Sequence, residues 1–192
     1  MEQKNWIEIK EENCYDFKQF VIPTHYKDDL QSVIIPYGLV QDRTEKLAHD
    51  IAASVSKPLI ACCILKGAHE FFADLTRSLK KLKNTEGQTI PLSVEFVKVK
   101  SYENTESTGD VKISLTDAEL REFKGKDILI VEDIVDTGNT MIALIALLKK
   151  YEPNSIKVAS LLLKRTERSN GYEPDFVGFS IPDLFVIGYG IS

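Results

Sequence analysis

The sequence lacks the features that would mark it for secretion, a membrane or nucleic acid. No apolar run reaches the about 20 residues that cross a bilayer, and no early stretch has the layout of a signal peptide, so a cytoplasmic protein is expected. There are only three cysteines, Cys14 and the neighbours Cys62 and Cys63, with no CxxC or Cys/His spacing. That excludes a disulfide framework and a zinc site and predicts buried, reduced thiols. His25, His49 and His69 match no metal-ligand spacing. Lys and Arg number 24 against 29 Asp and Glu, scattered for a net charge of −5 without a basic stripe, which argues against a nucleic-acid surface. Phosphate ligands must then be held locally. Neither GxxxxGK[ST] nor GxGxxG occurs, so P-loop and dinucleotide folds lack support. No repeat or low-complexity linker divides the chain. Its 192 residues, 43% of them apolar, suffice for one compact domain with a continuous core.

Periodicity predicts the elements. Residues 1–30 are mixed and polar and form an arm packed on the domain, anchored by Cys14, Phe17, Phe20, Val21 and Ile22. Leu47, Ile51 and Val55, with Ala48 and Ala52, predict a helix over 41–55. The unbroken apolar run 59–65 predicts a parallel strand covered on both faces. A helix follows over 70–82, then a β-branched strand over 92–99 and a polar loop over 101–110. A strand over 127–131 leads into a helix over 140–150, whose Met141, Leu144, Ile145 and Leu148 share one face. Further strands are expected over 156–163, 176–179 and 184–187. Strands alternating with amphipathic helices give an α/β fold with a mainly parallel twisted sheet flanked by helices.

The polar residues that follow these strands carry the functional signal. Lys66 and Gly67 follow one strand, Ser101 and Tyr102 a second, Glu132 to Thr140 a third and Lys164 a fourth. Ligands of open parallel sheets gather outside the carboxyl ends of the strands, so the four groups should converge on one cleft. The third group is the richest. Asp136, Thr137, Gly138, Asn139 and Thr140 form a turn into a helix whose first amides lack intrahelical partners, a place for a phosphate. Glu132 and Asp133 would repel bare phosphate and suit sugar hydroxyls or hydrated magnesium. Together they describe a sugar-phosphate site.

The segment from Ile128 to Thr140 resembles the phosphoribosyl-pyrophosphate (PRPP) signature of type I phosphoribosyltransferases. The blocks Ile35-Pro36-Tyr37-Gly38-Leu39, Leu65-Lys66-Gly67, Lys100-Ser101-Tyr102, Ser107-Thr108-Gly109-Asp110, Lys164-Arg165-Thr166 and Pro174-Asp175-Phe176-Val177-Gly178-Phe179 are similar to the hypoxanthine-guanine branch. The resemblance implies that fold over 1–192, with an arm at 1–30, a closing loop at 101–110 and a small purine-recognition hood built from N- and C-terminal segments, the latter at 164–192. It implies transfer of hypoxanthine or guanine to PRPP, giving IMP or GMP and pyrophosphate, with Mg2+ as cofactor held by Glu132 and Asp133 largely through ribose hydroxyls or water. Asp136 is then the general base near purine N7. Glu132, Asp133 and the 136–140 turn bind PRPP. Lys66, Gly67, Ser101 and Tyr102 take pyrophosphate, with a non-proline cis bond before Lys66. Lys164 donates to the 6-oxo group, Phe185 stacks on the base and the Val186 backbone reads its edge. A homodimer or homotetramer is implied.

Rival readings and departures weigh against parts of this. Receiver domains also place paired acids after an apolar strand, but on their first strand, with several βα units to follow. Lys66 and Lys164 alone would be surface lysines, and Phe185 alone a core residue. Ser192 falls where relatives carry an Asp, the relatives' later Arg has no counterpart, and Asn139 replaces a frequent Lys. These departures keep open a catalytically weak or inactive PRPP- or nucleotide-binding homologue or truncated isoform.

Overall fold

The computed structural model describes residues 5–101 and 111–191, apart from the Ser101 side chain. Along the chain run β1 (Ile7–Glu8), α1 (Tyr37–Ala52), β2 (Leu59–Leu65), α2 (His69–Leu79), β3 (Leu92–Ser101), β4 (Val111–Ile113), α3 (Asp117–Arg121), β5 (Asp127–Val135), α4 (Asn139–Lys149), β6 (Ser155–Arg165) and β7 (Phe176–Pro182). The strands form one sheet in the order β1-β7-β6-β5-β2-β3-β4, parallel at every pairing except β3 with β4.

Strand β2 explains how the sheet is buried on both faces. Leu59, Ala61 and Cys63 point into one cluster with Leu47 and Ile51 of α1 and Phe71 and Leu75 of α2. Ile60, Cys62 and Ile64 point into the other, with Phe123 and with Met141, Leu144 and Leu148 of α4. An apolar residue is needed on each side of the pleat, so the strand reads as an unbroken hydrophobic run. Burial pushes the Cys63 thiol up to about 12 and raises Cys62 further, which keeps both as inert, protonated core groups.

Several boundaries differ from the periodicity reading. Helix α1 starts at Tyr37, directly after the extended Pro36, because proline is tolerated at a helix start. β5 runs through both acids to Val135 and β6 runs to Arg165, since pairing with a neighbour sustains a strand through polar residues. The strand expected over 184–187 is absent: β1 already occupies the free edge of β7, which leaves this segment no ladder. The polar arm contributes that edge, with the Ile9 N–H reaching Ser180 O at 2.8 Å. Strand β4 and helix α3 were not foreseen. Their segments are short, although the reciprocal Thr116 and Glu119 capping box that starts α3 was readable as Thr-x-x-Glu. The 102–110 part of the polar loop, Tyr102 included, lies outside the described residues.

Two buried charges fix the frame. The Arg43 guanidinium of α1 donates to Gly178 O at 3.0 Å, to Val177 O at 2.8 Å and to Asn5 O, which ties helix, β7 and arm together. Asp127, at the entrance to β5, accepts from the backbone of Ser56 and Lys57 (2.9 Å each), Asn154 Nδ2 (2.6 Å) and Ser155 Oγ (2.7 Å). Burial alone would raise its pKa, but these four donors together hold it below the ordinary carboxylate value. Asp127→Ala should therefore cost on the order of 3 kcal/mol in urea unfolding at neutral pH. A depressed folded pKa contributes stability above the unfolded value of about 3.9 and loses it as pH falls through the folded value, so variant and wild type should converge in acid.

Candidate active site

The carboxyl ends of β6, β5, β2 and β3 are adjacent and parallel, so Lys164, the 132–140 segment, Lys66-Gly67 and Ser101 emerge on one side of the sheet. The turn after β5 has a clear local cause. Gly138 precedes α4 at φ +86, and a Cβ there would come within 2.6 Å of Asn170 Oδ1 and 2.7 Å of Tyr172 Cβ, so only glycine fits. The N-cap Gly138 has no side chain with which to cap α4. Asn139 N lies 3.4 Å from Thr137 Oγ1.

The loop after β6 is fastened onto this turn. Asn170 N–H donates to Thr137 O at 3.0 Å, and Asn170 Nδ2 donates to Asn139 Oδ1 at 2.8 Å. Asn139 thus has a clamping role that no lysine could fill in the same way, since an ammonium offers no acceptor. Beside the turn, two cations and two acids alternate. Lys164 Nζ lies 3.8 Å from Asp136 Oδ2 and 3.7 Å from Asp183 Oδ1; Arg168 Nη2 lies 3.2 Å from Asp136 Oδ2 and 3.9 Å from Asp183 Oδ1. Only 13% of the Lys164 side chain is exposed. Sequence reasoning brought Asp136 and Lys164 together but missed Arg168 and Asp183. The available signal was their position: Arg168 lies four residues past Lys164, and Asp183 two before Phe185.

Glu132 and Asp133 lie inside β5, with Glu132 paired to Ser160 of β6. Burial, and the neighbouring Asp133 carboxyl, push Glu132 up to about 9, opposed only by the Asp133 N–H at 3.2 Å from Glu132 Oε1. The Lys66-Gly67 loop abuts this pair. A Cβ at Gly67 would overlap the Asp133 carboxylate, so the glycine leaves the space the acid occupies. The Leu65–Lys66 peptide is cis, and the Lys66 side is exposed. The core reading of Phe185 does not hold: the residue is 87% exposed, whereas Val186 is partly buried and packs against the core. Ser101 closes β3, and Tyr102 cannot be assigned a place because it lies outside the described residues. A groove of about 540 Å³ between β1 and the 166–173 loop shares only Lys164 with the expected set.

Comparison with known proteins agrees with this arrangement. The family model for the phosphoribosyl transferase domain matches residues 39–192. Hypoxanthine-guanine phosphoribosyltransferase of Bos taurus is 52% identical over 183 residues, covering 95% of this chain and 84% of that protein. The Homo sapiens enzyme of the same name is 50% identical over the same shares. Among solved structures, hypoxanthine-guanine phosphoribosyltransferase from Schistosoma mansoni in complex with IMP superposes with a TM-score of 0.77 at 34% identity, covering 98% of this chain and 88% of that one. A hypoxanthine phosphoribosyltransferase from Staphylococcus aureus gives 0.76 at 33% identity, covering 90% and 89%. With the PRPP-type turn, the convergent strand ends and these relatives in agreement, the chain belongs to the phosphoribosyltransferase family, among the hypoxanthine-guanine phosphoribosyltransferases.

Proposed function

We propose that this chain is a cytoplasmic purine-salvage transferase that joins hypoxanthine or guanine to PRPP, forming IMP or GMP and pyrophosphate. One observation carries the reading: Asp136 and Lys164, an acceptor and a donor suited to the adjacent N7 and 6-oxo positions on one edge of a 6-oxopurine, stand 3.8 Å apart beside the start of α4. The 5′-phosphate accepts from the amides at the start of α4, where the helix dipole favours negative charge. The purine imidazole nitrogen forms its bond to the anomeric carbon as the bond to pyrophosphate breaks. The ring proton passes to Asp136. Lys164 donates to the 6-oxo group; an adenine amino group there would set one donor against another and forfeit that hydrogen bond. Phe185 covers the base, and the backbone of Val186 meets its edge. Lys66 and Gly67, with Ser101 and Tyr102 from the closing loop at 101–110, receive pyrophosphate. The arm at 1–30 and the hood at 164–192 complete a single domain.

Magnesium suits the donors present. Glu132 and Asp133 are adjacent oxygen donors, and magnesium is an ion that takes one or two carboxylates and completes its shell from phosphate and water. Glu132 and Asp133 would hold it, largely through ribose hydroxyls or water, and it would neutralise the departing pyrophosphate. A homodimer or homotetramer is in keeping with the exposed Tyr37 and Phe96. Among the described residues no helix is long and apolar enough to cross a membrane.

The deciding assay follows nucleotide formation from magnesium, PRPP and hypoxanthine, guanine or adenine. IMP and GMP without AMP are expected; no product with any base removes the reading. Asp136→Asn should lower kcat by about 10²-fold or more while PRPP KM moves little, and an equally active variant would take the base role from Asp136. Glu132 gives a pH test. Its folded pKa of about 9 lies above the unfolded value, so the fold binds more protons and loses stability as pH rises between the two. Glu132→Gln should abolish that decline, giving a higher Tm than wild type at about pH 8 and an equal one at about pH 4.

A further inference from the structure

The segment that leaves the hood returns to the body of the protein through one side chain. Tyr189 sits in a turn closed by Gly188 N to Ile191 O at 3.1 Å and Ile191 N to Gly188 O at 3.0 Å. Its φ of 52° is a left-handed value that a residue with a Cβ rarely adopts unless its surroundings hold it there. Two things hold it. The ring meets Tyr37 of α1 edge-on, with centroids 6.1 Å apart, and the hydroxyl donates to Asp74 Oδ2 of α2 at 2.6 Å. Asp74 is only 8% exposed and also accepts from Gln41 Nε2 and Arg77 Nη1, each at 2.5 Å. Burial would raise the Asp74 pKa, but the bonds from Tyr189, Gln41 and Arg77 keep it below the ordinary value, and burial beside that carboxylate raises the Tyr189 hydroxyl. The pair therefore stays O–H against carboxylate across the working pH range.

The turn reaches both halves of the candidate site. Phe185 and Val186 lie four and three residues before Tyr189. One residue after it, a Cβ on Gly190 would lie 2.9 Å from Gly67 O and 2.9 Å from His69 Cε1, so the backbone rests directly on the Lys66-Gly67 loop. His69 Nδ1 in turn lies 3.0 Å from Lys66 O.

We infer that Tyr189 and Asp74 are a positioning pair for the transfer reaction, through which α2 fixes the base-covering segment 183–187 and the Lys66-Gly67 loop in mutual register. The inference rests on the function proposed above, in which those two segments face purine and pyrophosphate. Neither residue touches substrate; Asp74 acts through Tyr189.

Tyr189→Phe tests this directly, because it keeps the ring against Tyr37 and removes the hydroxyl, whose shortest bond is the one to Asp74. KM for hypoxanthine and for PRPP should each rise about tenfold, the scale of one hydrogen bond to a charged acceptor, with kcat within about twofold and Tm nearly unchanged. The double variant Asp74→Asn/Tyr189→Phe, where it folds, should raise neither KM beyond the Tyr189→Phe level. A merely structural role would lower Tm and the active fraction and leave both KM values alone, and that result overturns the inference. Wild-type protein run in parallel separates the two levels. An active wild type with an unaltered Tyr189→Phe variant overturns the positioning pair alone, whereas an inactive wild type removes the proposed function and the pair with it.

Discussion

The buried carboxylate of Asp127 sets the frame on which the site depends. It sits at the entrance to β5 and collects donors from the chain entering β2 and from the start of β6. Those three strands are thereby pinned at a common starting level. Parallel strands pinned at one end all emerge on the same side at the other, where β5 delivers its acids, β2 its Lys66-Gly67 loop and β6 its Lys164. Arg43 does the same for the outer part of the sheet by reaching two carbonyls of β7 and one of the arm. Both charges are fully supplied with partners, which is what makes burying them tolerable.

At the site end the electrostatics are deliberately unequal. Asp136 has Lys164 and Arg168 at hand and shares both with Asp183. Glu132 has no cation within ion-pair reach among the described residues and has another acid next to it, so its proton is held tightly. Two acids four residues apart on one segment thus occupy different surroundings, one beside two cations and the other buried beside a second acid. The clamp between Asn139 and Asn170 holds the turn before α4 in shape with neutral groups.

Much of this was legible in the sequence because the physics is local. The double-sided burial of β2 writes itself as an unbroken apolar run, the one-sided burial of α4 as a 3.6-residue stripe, and the turn before α4 as acids, hydroxyls and Gly138 between a strand and a helix. What escaped depends on partners far along the chain. The arm is polar and gives no strand signal, yet Ile7–Glu8 completes the sheet because β7 offers an open edge. The 184–187 run has strand-like composition and no edge to join. Arg168 and Asp183 look like ordinary surface charges until the return of the chain brings them to Asp136 and Lys164. Asp74 is invisible as a special residue until Tyr189 arrives 115 positions later.

The exposed ring of Phe185 has a thermodynamic consequence of its own. At 87% exposure it leaves an aromatic side chain hydrated. A planar heterocycle that settles on it strips that water away. Association there would carry a negative change in heat capacity, so its enthalpy becomes more favourable on warming while its entropy becomes less so. Calorimetry over a range of temperatures would read this signature from one side chain left standing in solvent.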